Sequence, residues 1–533
     1  MPPTAKRSGD LAFIVSTSTK KPDPELRKFI RSHVMIGKNR GRTLRPRYNK
    51  IADSDSPIDP SQSNLNQVQD QEEDESARSS STARSLSVIP RRVGSDLSFV
   101  QFADKIEDSS LTVIFQFSAM AKGALFPLES CIAFGPKETK WMEALTLDAA
   151  YLHAMAFSAH AYFEMLPGRN TPLPPQHPAS TRSHVLKTLR LLRERIETPG
   201  HDAVLATTFS TAAIVLCLAF HAHVMGEHDT AMHHMLGLRK IVDLKGGLSS
   251  LADNVKLVVE ILRCDIGMAL HSGAKPLFFA DRAREPFWPF PDFGVDVPGA
   301  PAEIELDVLP STVDPELRAC WRVMRQFCAL VNDAAVVRTK LPKEYLFDTM
   351  AAVTYRLLHK SPWPAPGTID NAVLLGLLAF SSSIFLQWSG VRLPSAWLPT
   401  AYRECLLALE DTVQGDDDYG FGYSTSGGND GSRIGDSSGV CPRPLLLWLL
   451  TVGAVSVLGD HALSVFGEGD SELDYDLWLR SRLRANAELC GVESWFVMRA
   501  LLSSFMWVGL VHDAPGKAIF ESAMSLNPSS EFC

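Results

Sequence analysis

The chain has 533 residues, 45% of them hydrophobic and 21% charged, with a formal net charge of −9. That length predicts more than one folded unit or one unusually large one, with ample apolar residues for its core. Nine cysteines lie scattered with no C-x-x-C spacing, which excludes a signalled zinc site or redox pair and fits free thiols in a reducing compartment.

Residues 1–50 form a basic arm. Thirteen Lys and Arg stand against Asp10, Asp23 and Glu25, a net of +10, which leaves −19 on the rest of the chain. Leu11–Val15 is too short for the apolar centre of a secretory signal. Asp23-Pro24 reads as an N-cap with proline at the first helical position, opening one short helix with Leu26, Phe29, Ile30 and Val34 on its apolar stripe. Beyond it Lys38, Arg40, Arg42, Arg45 and Arg47 make a patch suited to nuclear import or to weak phosphate contact. A solvated tail is the plainer reading of the same charges. From residue 51 to residue 95 Ser, Asp, Gln and Glu dominate, with an acidic knot at Asp70, Glu72, Glu73, Asp74 and Glu75. Such a segment buries too little apolar surface to offset its chain entropy, and it is expected to be disordered.

Helical periodicity then runs over residues 96–525. Trp141–Leu166 reads as one long helix. Ser183–Ile196 reads as an amphipathic helix with Val185, Leu189, Leu192 and Ile196 inward and its arginines outward. Ala203–Phe220 is a more apolar helix. Thr230–Ala280 reads as a helical hairpin: Met232, Met235, Leu238, Ile241 and Val242 share one face, and Gly246-Gly247 stop the helix. Ser250 would cap the next helix with Asp253 behind it, and Gly273 and Pro276 would end that one. Pro286–Pro301 reads as irregular. Helices are predicted at Glu316–Asn332, Lys343–Leu358, Ala372–Leu386, Ala401–Val413, Leu445–Leu458, Leu473–Cys490 and Ser494–Val511. A flexible Gly, Ser and Asp-rich insert covers residues 414–440, and residues 526–533 form a tail. The fold class is all-α, a large irregular multi-helix array behind a disordered N-terminal region. Three apolar runs, Ala203–Phe220, Ala372–Val391 and Pro444–Gly459, are short for a membrane span or broken by polar residues, and read better as buried helices.

No catalytic constellation emerges. His221, His223, His228, His233 and His234 invite a metal reading, but residues two apart on a helix point to opposite sides, and His-Glu-x-x-His is absent. His233-His234-Met235-Leu236-Gly237-Leu238 lacks the acid of an acyl-transfer motif, since Leu238 occupies its place. Gly422-Tyr423-Ser424-Thr425-Ser426 misses the second glycine of a nucleophile elbow. Asp265 lies within an apolar helix and is read as facing solvent or Arg263. Neither a metal nor a cofactor is expected.

His234-x-x-Gly237-Leu238, Ile241-Val242 and Gly246-Gly247-Leu248, continued by Asp265, Gly273 and Pro276, resemble the fungal-specific transcription factor domain family. That family is the helical regulatory portion found behind a binuclear zinc cluster. His184-x-x-Lys187-x-Leu189-Arg190 upstream is similar to its preceding helix. Leu447–Ala454, with Trp448 and Gly453, and Trp507 look like its C-terminal helices. The first cysteine here is Cys131, so the zinc cluster and its DNA reading are missing. The resemblance implies a nuclear, non-enzymatic regulator, with the cytoplasm as the other location. It would act through a protein partner, a homodimer or an effector, with at most weak non-specific nucleic-acid contact through the arm and no membrane. A helical-fold enzyme of secondary metabolism and a membrane-associated protein are the alternatives.

Overall fold

The apolar runs among the described residues form helices, some opened by a capping side chain and some stopped at glycine. The computed structural model describes residues 100–123, 127–133, 140–165, 179–197, 208–293, 309–388, 391–392, 395–417, 441–459 and 471–526. The arm, the linker, most of the insert and the end of the tail lie outside them. The described residues all fall in one unit, Pro90–Cys533. It is all-α, and fifteen helices account for most of the described residues. In chain order they are α1 Asp108–Gly123, α2 Lys140–Leu147, α3 Ala149–Met165, α4 Ala179–Glu197 and α5 Phe209–Val224. Next come α6 His228–Leu244, α7 Val255–Ser272, α8 Pro315–Val337, α9 Lys343–Leu358 and α10 Ile369–Phe385. Last are α11 Trp397–Asp417, α12 Arg443–Ser456, α13 Ser471–Leu489, α14 Trp495–Phe505 and α15 Gly509–Met524. Two small bridges complete the described structure: β1 (Ile132–Ala133) runs parallel to β2 (Leu341–Pro342), and β3 (Gln387–Trp388) antiparallel to β4 (Val391–Arg392).

Several boundaries and pairings depart from the sequence reading. The expected Trp141–Leu166 helix is two, because Asp148 stands between α2 and α3 and its Oδ1 accepts from the Tyr151 amide at 3.1 Å. The Thr230–Ala280 hairpin is differently partnered. α6 lies along α5 and meets α7 only slightly, while α7 packs on α5, α9 and α11. Gly246 and Gly247 do take positive φ, at 101° and 93°. Ser250, however, caps nothing: it sits in a 3₁₀ turn, Leu248–Asn254, and donates to the Gly247 carbonyl. The cap of α7 is Asn254, whose side-chain oxygen accepts from the Leu257 amide at 3.2 Å. Helix α4 is also rotated from its expected setting. Leu192 is buried, but Leu189 and Ile196 are exposed, and Thr181, His184 and Thr188 turn inward instead.

The C-terminal half is a dry assembly around α10 and α12. All of Leu445–Ser456 is buried, as is nearly the whole of α10. Helix α10 starts at a Thr368 cap, and among the described residues no helix is long and apolar enough to cross a membrane. Trp448 is fully buried and donates its Nε1–H to the Met506 carbonyl at 2.8 Å. Close approach at two crossings requires glycine. A Cβ on Gly376 would lie 2.8 Å from the Trp448 ring, and one on Gly453 would lie 2.7 Å from the Tyr402 ring. The expected Ser494–Val511 helix breaks at Met506–Val508. There Asn332 of α8 holds both sides, donating to the Trp507 carbonyl at 2.7 Å and accepting from the Gly509 amide at 2.9 Å.

Two glycines of the resemblance thus face opposite tests. Tyr402 is pinned by its hydroxyl, which donates to the Leu449 carbonyl, so Gly453→Ala overpacks a rigid crossing and is expected to cost about 1–3 kcal/mol. Gly237 lies exposed in α6 with open space around it, so Gly237→Ala is expected to stabilise by about 0.5–1 kcal/mol. Chemical denaturation of the two variants measures both.

Candidate functional site

Two buried polar clusters stand out from the apolar interior. The first joins three elements. The segment leading into α1 supplies Asp104, and the first turn of α1 supplies Ser110. Helix α3 supplies His153 and His160, which are seven residues apart and therefore share a face. Helix α4 supplies His184 and Lys187. The Asp104 carboxylate lies 2.8 Å from Lys187 Nζ and 3.4 Å from His153 Nε2. His153 Nδ1 lies 2.8 Å from His184 Nδ1, and His184 Nε2 lies 3.1 Å from Ser110 Oγ. His160 Nε2 meets the same Oγ at 3.3 Å.

The direction of these bonds follows from what each atom can do. A carboxylate only accepts, so His153 donates through Nε2, and as a neutral ring it accepts at Nδ1. His184 must then donate from Nδ1 and accept at Nε2. Ser110 gives its hydroxyl proton to His184 and accepts from His160. With all three rings neutral, every link has one donor and one acceptor. The environment enforces that state. Burial lowers the pKa of His153 and of His160 and takes His184 down to about 4. The Lys187 ammonium bonded to Asp104 holds that carboxyl at about 2, ionised and accepting.

The second cluster centres on Asp265, and here the sequence reading is overturned. Asp265 faces neither solvent nor Arg263. It is buried and accepts three bonds: from the Leu277 amide at 2.8 Å, the Phe278 amide at 3.1 Å and the Tyr355 hydroxyl at 2.9 Å. Arg263 turns the other way, to Glu260 and the Gln387 carbonyl. Around the anchored turn, His359 Nε2 meets the Phe278 carbonyl at 2.9 Å. Arg239 bridges the Leu277 carbonyl and Glu285, and Glu285 accepts from the Phe279 amide. Phe279 itself has φ of 60°, a strained value for a bulky residue, held by this ring of bonds. Burial raises the Asp265 pKa to about 6 although its three donors and Arg239 pull the other way.

The residues singled out from the sequence do not converge on either cluster alone. Lys38, Arg40, Arg42, Arg45 and Arg47 lie outside the described residues. His234 is half-buried on α6, with its pKa lowered by burial, and Leu238 is fully buried beside it in the helix. Gly246, Gly247 and Gly273 are helix stops with positive φ, and a Cβ on Gly273 would meet the Trp397 ring at 2.6 Å. Trp507 is buried and donates to Asp513 at 2.8 Å. Of the histidines considered for metal, His223 and His228 gather with His271, ring centroids 5.3 Å and 3.6 Å from it. His221 packs on Phe157, and His233 bonds the Asp229 carbonyl. Among the described residues no group of three His, Cys, Asp or Glu is placed to hold a metal ion.

The sequence reading missed the Asp104–His160 chain. Its faint trace is the His153/His160 spacing on an otherwise apolar helix together with His184 and Lys187 on the next. Beside it, Phe102, Asp104, Ile106, Asp108 and Leu111 line an open groove of about 530 Å³. Ser110 is completely buried behind that groove. No family model, curated protein or solved structure matches the chain.

Both clusters give pH and mutational expectations. His184 is nearly buried, and between 6.5 and about 4 the folded protein binds fewer protons there than the unfolded chain. The stability present above 6.5 is therefore lost as pH falls through that window, by up to roughly 3 kcal/mol. Denaturation midpoints at pH 7.5 and 5 measure the loss. Asp265→Ala leaves two amides and a hydroxyl buried without an acceptor. It is expected to cost on the order of 3–5 kcal/mol, with Asp265→Asn costing less because one acceptor remains.

Proposed function

We propose that this chain is a non-enzymatic regulator of the fungal transcription-factor type, working by binding through its helical body. In this reading Lys38, Arg40, Arg42, Arg45 and Arg47 supply nuclear import or salt-sensitive phosphate contact. The observation that carries it is the position of the residues behind the resemblance. Gly246, Gly247 and Gly273 are the left-handed stops of α6 and α7 and the segment between them, and Asp265 anchors the chain beyond Gly273. Trp448, Gly453 and Trp507 are the tight contacts of the last helices. A motif made of packing joints specifies a scaffold, and a scaffold of this size works by contact with another molecule. The outward apolar flank of α4, with Leu186, Leu189 and Ile196 exposed, supports a binding role.

A hydrolytic enzyme is the second reading, favoured by one observation: Ser110, His184, His153 and Asp104 stand in bonding order like a nucleophile, its base and their support. Against it, Ser110 has no exposed surface, and its oxygen is already engaged by His160. Two measurements separate the readings. A fluorescently tagged chain is expected in the nucleus, with redistribution to the cytoplasm on removal of residues 1–50; an unchanged distribution removes the arm from the proposal. A fluorophosphonate probe is expected to leave Ser110 unlabelled, and stoichiometric labelling there establishes the enzyme instead.

A further inference from the structure

We propose that the Asp104–His153–His184–Ser110–His160 chain is a two-step proton latch: it takes up one proton without losing a bond, and a second opens it. The first step follows from the geometry. A proton arriving at His153 occupies Nδ1, which then donates to His184 Nδ1 across the 2.8 Å contact. His184 moves its own hydrogen to Nε2 and donates to Ser110 Oγ. Ser110 turns its hydroxyl toward His160 Nε2, and His160 accepts there once its hydrogen is on Nδ1 instead of Nε2. Every link survives: the Asp104–His153 bond keeps its direction and the other three are reversed. The added charge rests on His153 against the Asp104 carboxylate, which Lys187 shares.

A second proton has no such place. On His160 it leaves a ring N–H on each side of Ser110 Oγ and the serine's own hydrogen without an acceptor in the chain. On His184 it sets two N–H groups against each other across the 2.8 Å contact between two buried rings. The groups facing the chain do not relieve the conflict. Asp104 and Glu107 come from the leading segment, Glu164 with the two histidines from α3, and Lys187 from α4, while His221 of α5 is turned to Phe157. Glu107 attracts a proton to His160 and His184, whereas Lys187 repels one from His153 and His184. Relief comes from separation: residues 100–112 leave α3 and α4, and each ring is hydrated. That stretch is where residues 1–99 join the helical body in sequence, so the latch makes this junction responsive to acid. Its other ties are an amide bond from Ala103 to the Leu145 carbonyl at 3.1 Å and the packing of Phe102, Ile106 and Leu111 against the core.

The test uses the full chain with ¹⁵N-labelled histidine, followed from pH 7.5 to 4.5, with hydrogen exchange measured over residues 100–112. At pH 7.5 the expected tautomers carry hydrogen on Nε2 of His153, Nδ1 of His184 and Nε2 of His160. On acidification His184 and His160 switch tautomer at the same midpoint at which His153 becomes charged, and the Ala103 amide stays protected. At lower pH that protection collapses. Three free rings against one bound proton give an uptake of two, so exchange corrected for its intrinsic rate approaches a hundredfold rise per pH unit. Ser110→Ala is expected to let His160 titrate independently while His153 and His184 still change together; should it not fold, His160→Phe is expected to lower the shared midpoint. Three unrelated midpoints in the unaltered chain, or a His184 that keeps its tautomer as His153 charges, overturn the reversal. Loss of Ala103 protection at the first midpoint, or none by pH 4.5, overturns the second step.

Discussion

A carboxylate cut off from water must be surrounded by donors, and Asp265 meets that demand by gathering the chain that leaves α7. The Leu277 and Phe278 amides and the Tyr355 hydroxyl converge on it, and Gly273 makes the turn that delivers them. This constraint ties three elements together: α7, the segment after it and α9. Arg239 extends the tie to α6 through the Leu277 carbonyl and Glu285. The strained backbone of Phe279 persists because the bonds on either side of it leave no alternative. Helices that are apolar on most sides could slide along one another; a fixed polar anchor gives them a register.

The histidine chain works by the opposite logic. Asp265 is held by donors that stay as they are, whereas each link from His153 to His160 can point either way. Neutral imidazole has one donor and one acceptor, and a serine hydroxyl can rotate, so the chain has two complete bonding patterns. Low local dielectric makes both patterns strict, since an unpaired group there is costly. His184, on the polar inward face of α4, completes this chain, while the apolar flank of the same helix lies outside. One geometric choice therefore links the interior chemistry to the character of the surface.

Much of the fold was legible. The class, most helix positions and the Gly246, Gly247 and Gly273 stops follow from 3.6-residue periodicity and from the freedom of glycine to take positive φ. The α9 boundaries, Lys343–Leu358, agree with the sequence reading residue for residue. The errors cluster where a distant side chain intervened. Asp148 divides α2 from α3 while bonded to Arg195 of α4, and Asn332 of α8 stabilises the break before α15. Neither partner is near in sequence. The candidate clusters were less legible still: Asp265 was read as facing solvent or Arg263, and nothing in the local pattern singled out His153 and His160.

By itself the sequence determined that this is a helical protein with a basic leader, an acidic and serine-rich segment and a large apolar body, because composition and periodicity are local properties. The choice of neighbours belonged to the tertiary structure: α6 with α5 rather than α7, the rotation of α4, and the burial of Asp265 and of the histidines. Periodicity states that a helix has an apolar face but not which helix covers it. A buried polar group is read correctly only once its partners, 12 to 90 residues away in sequence, are in contact with it.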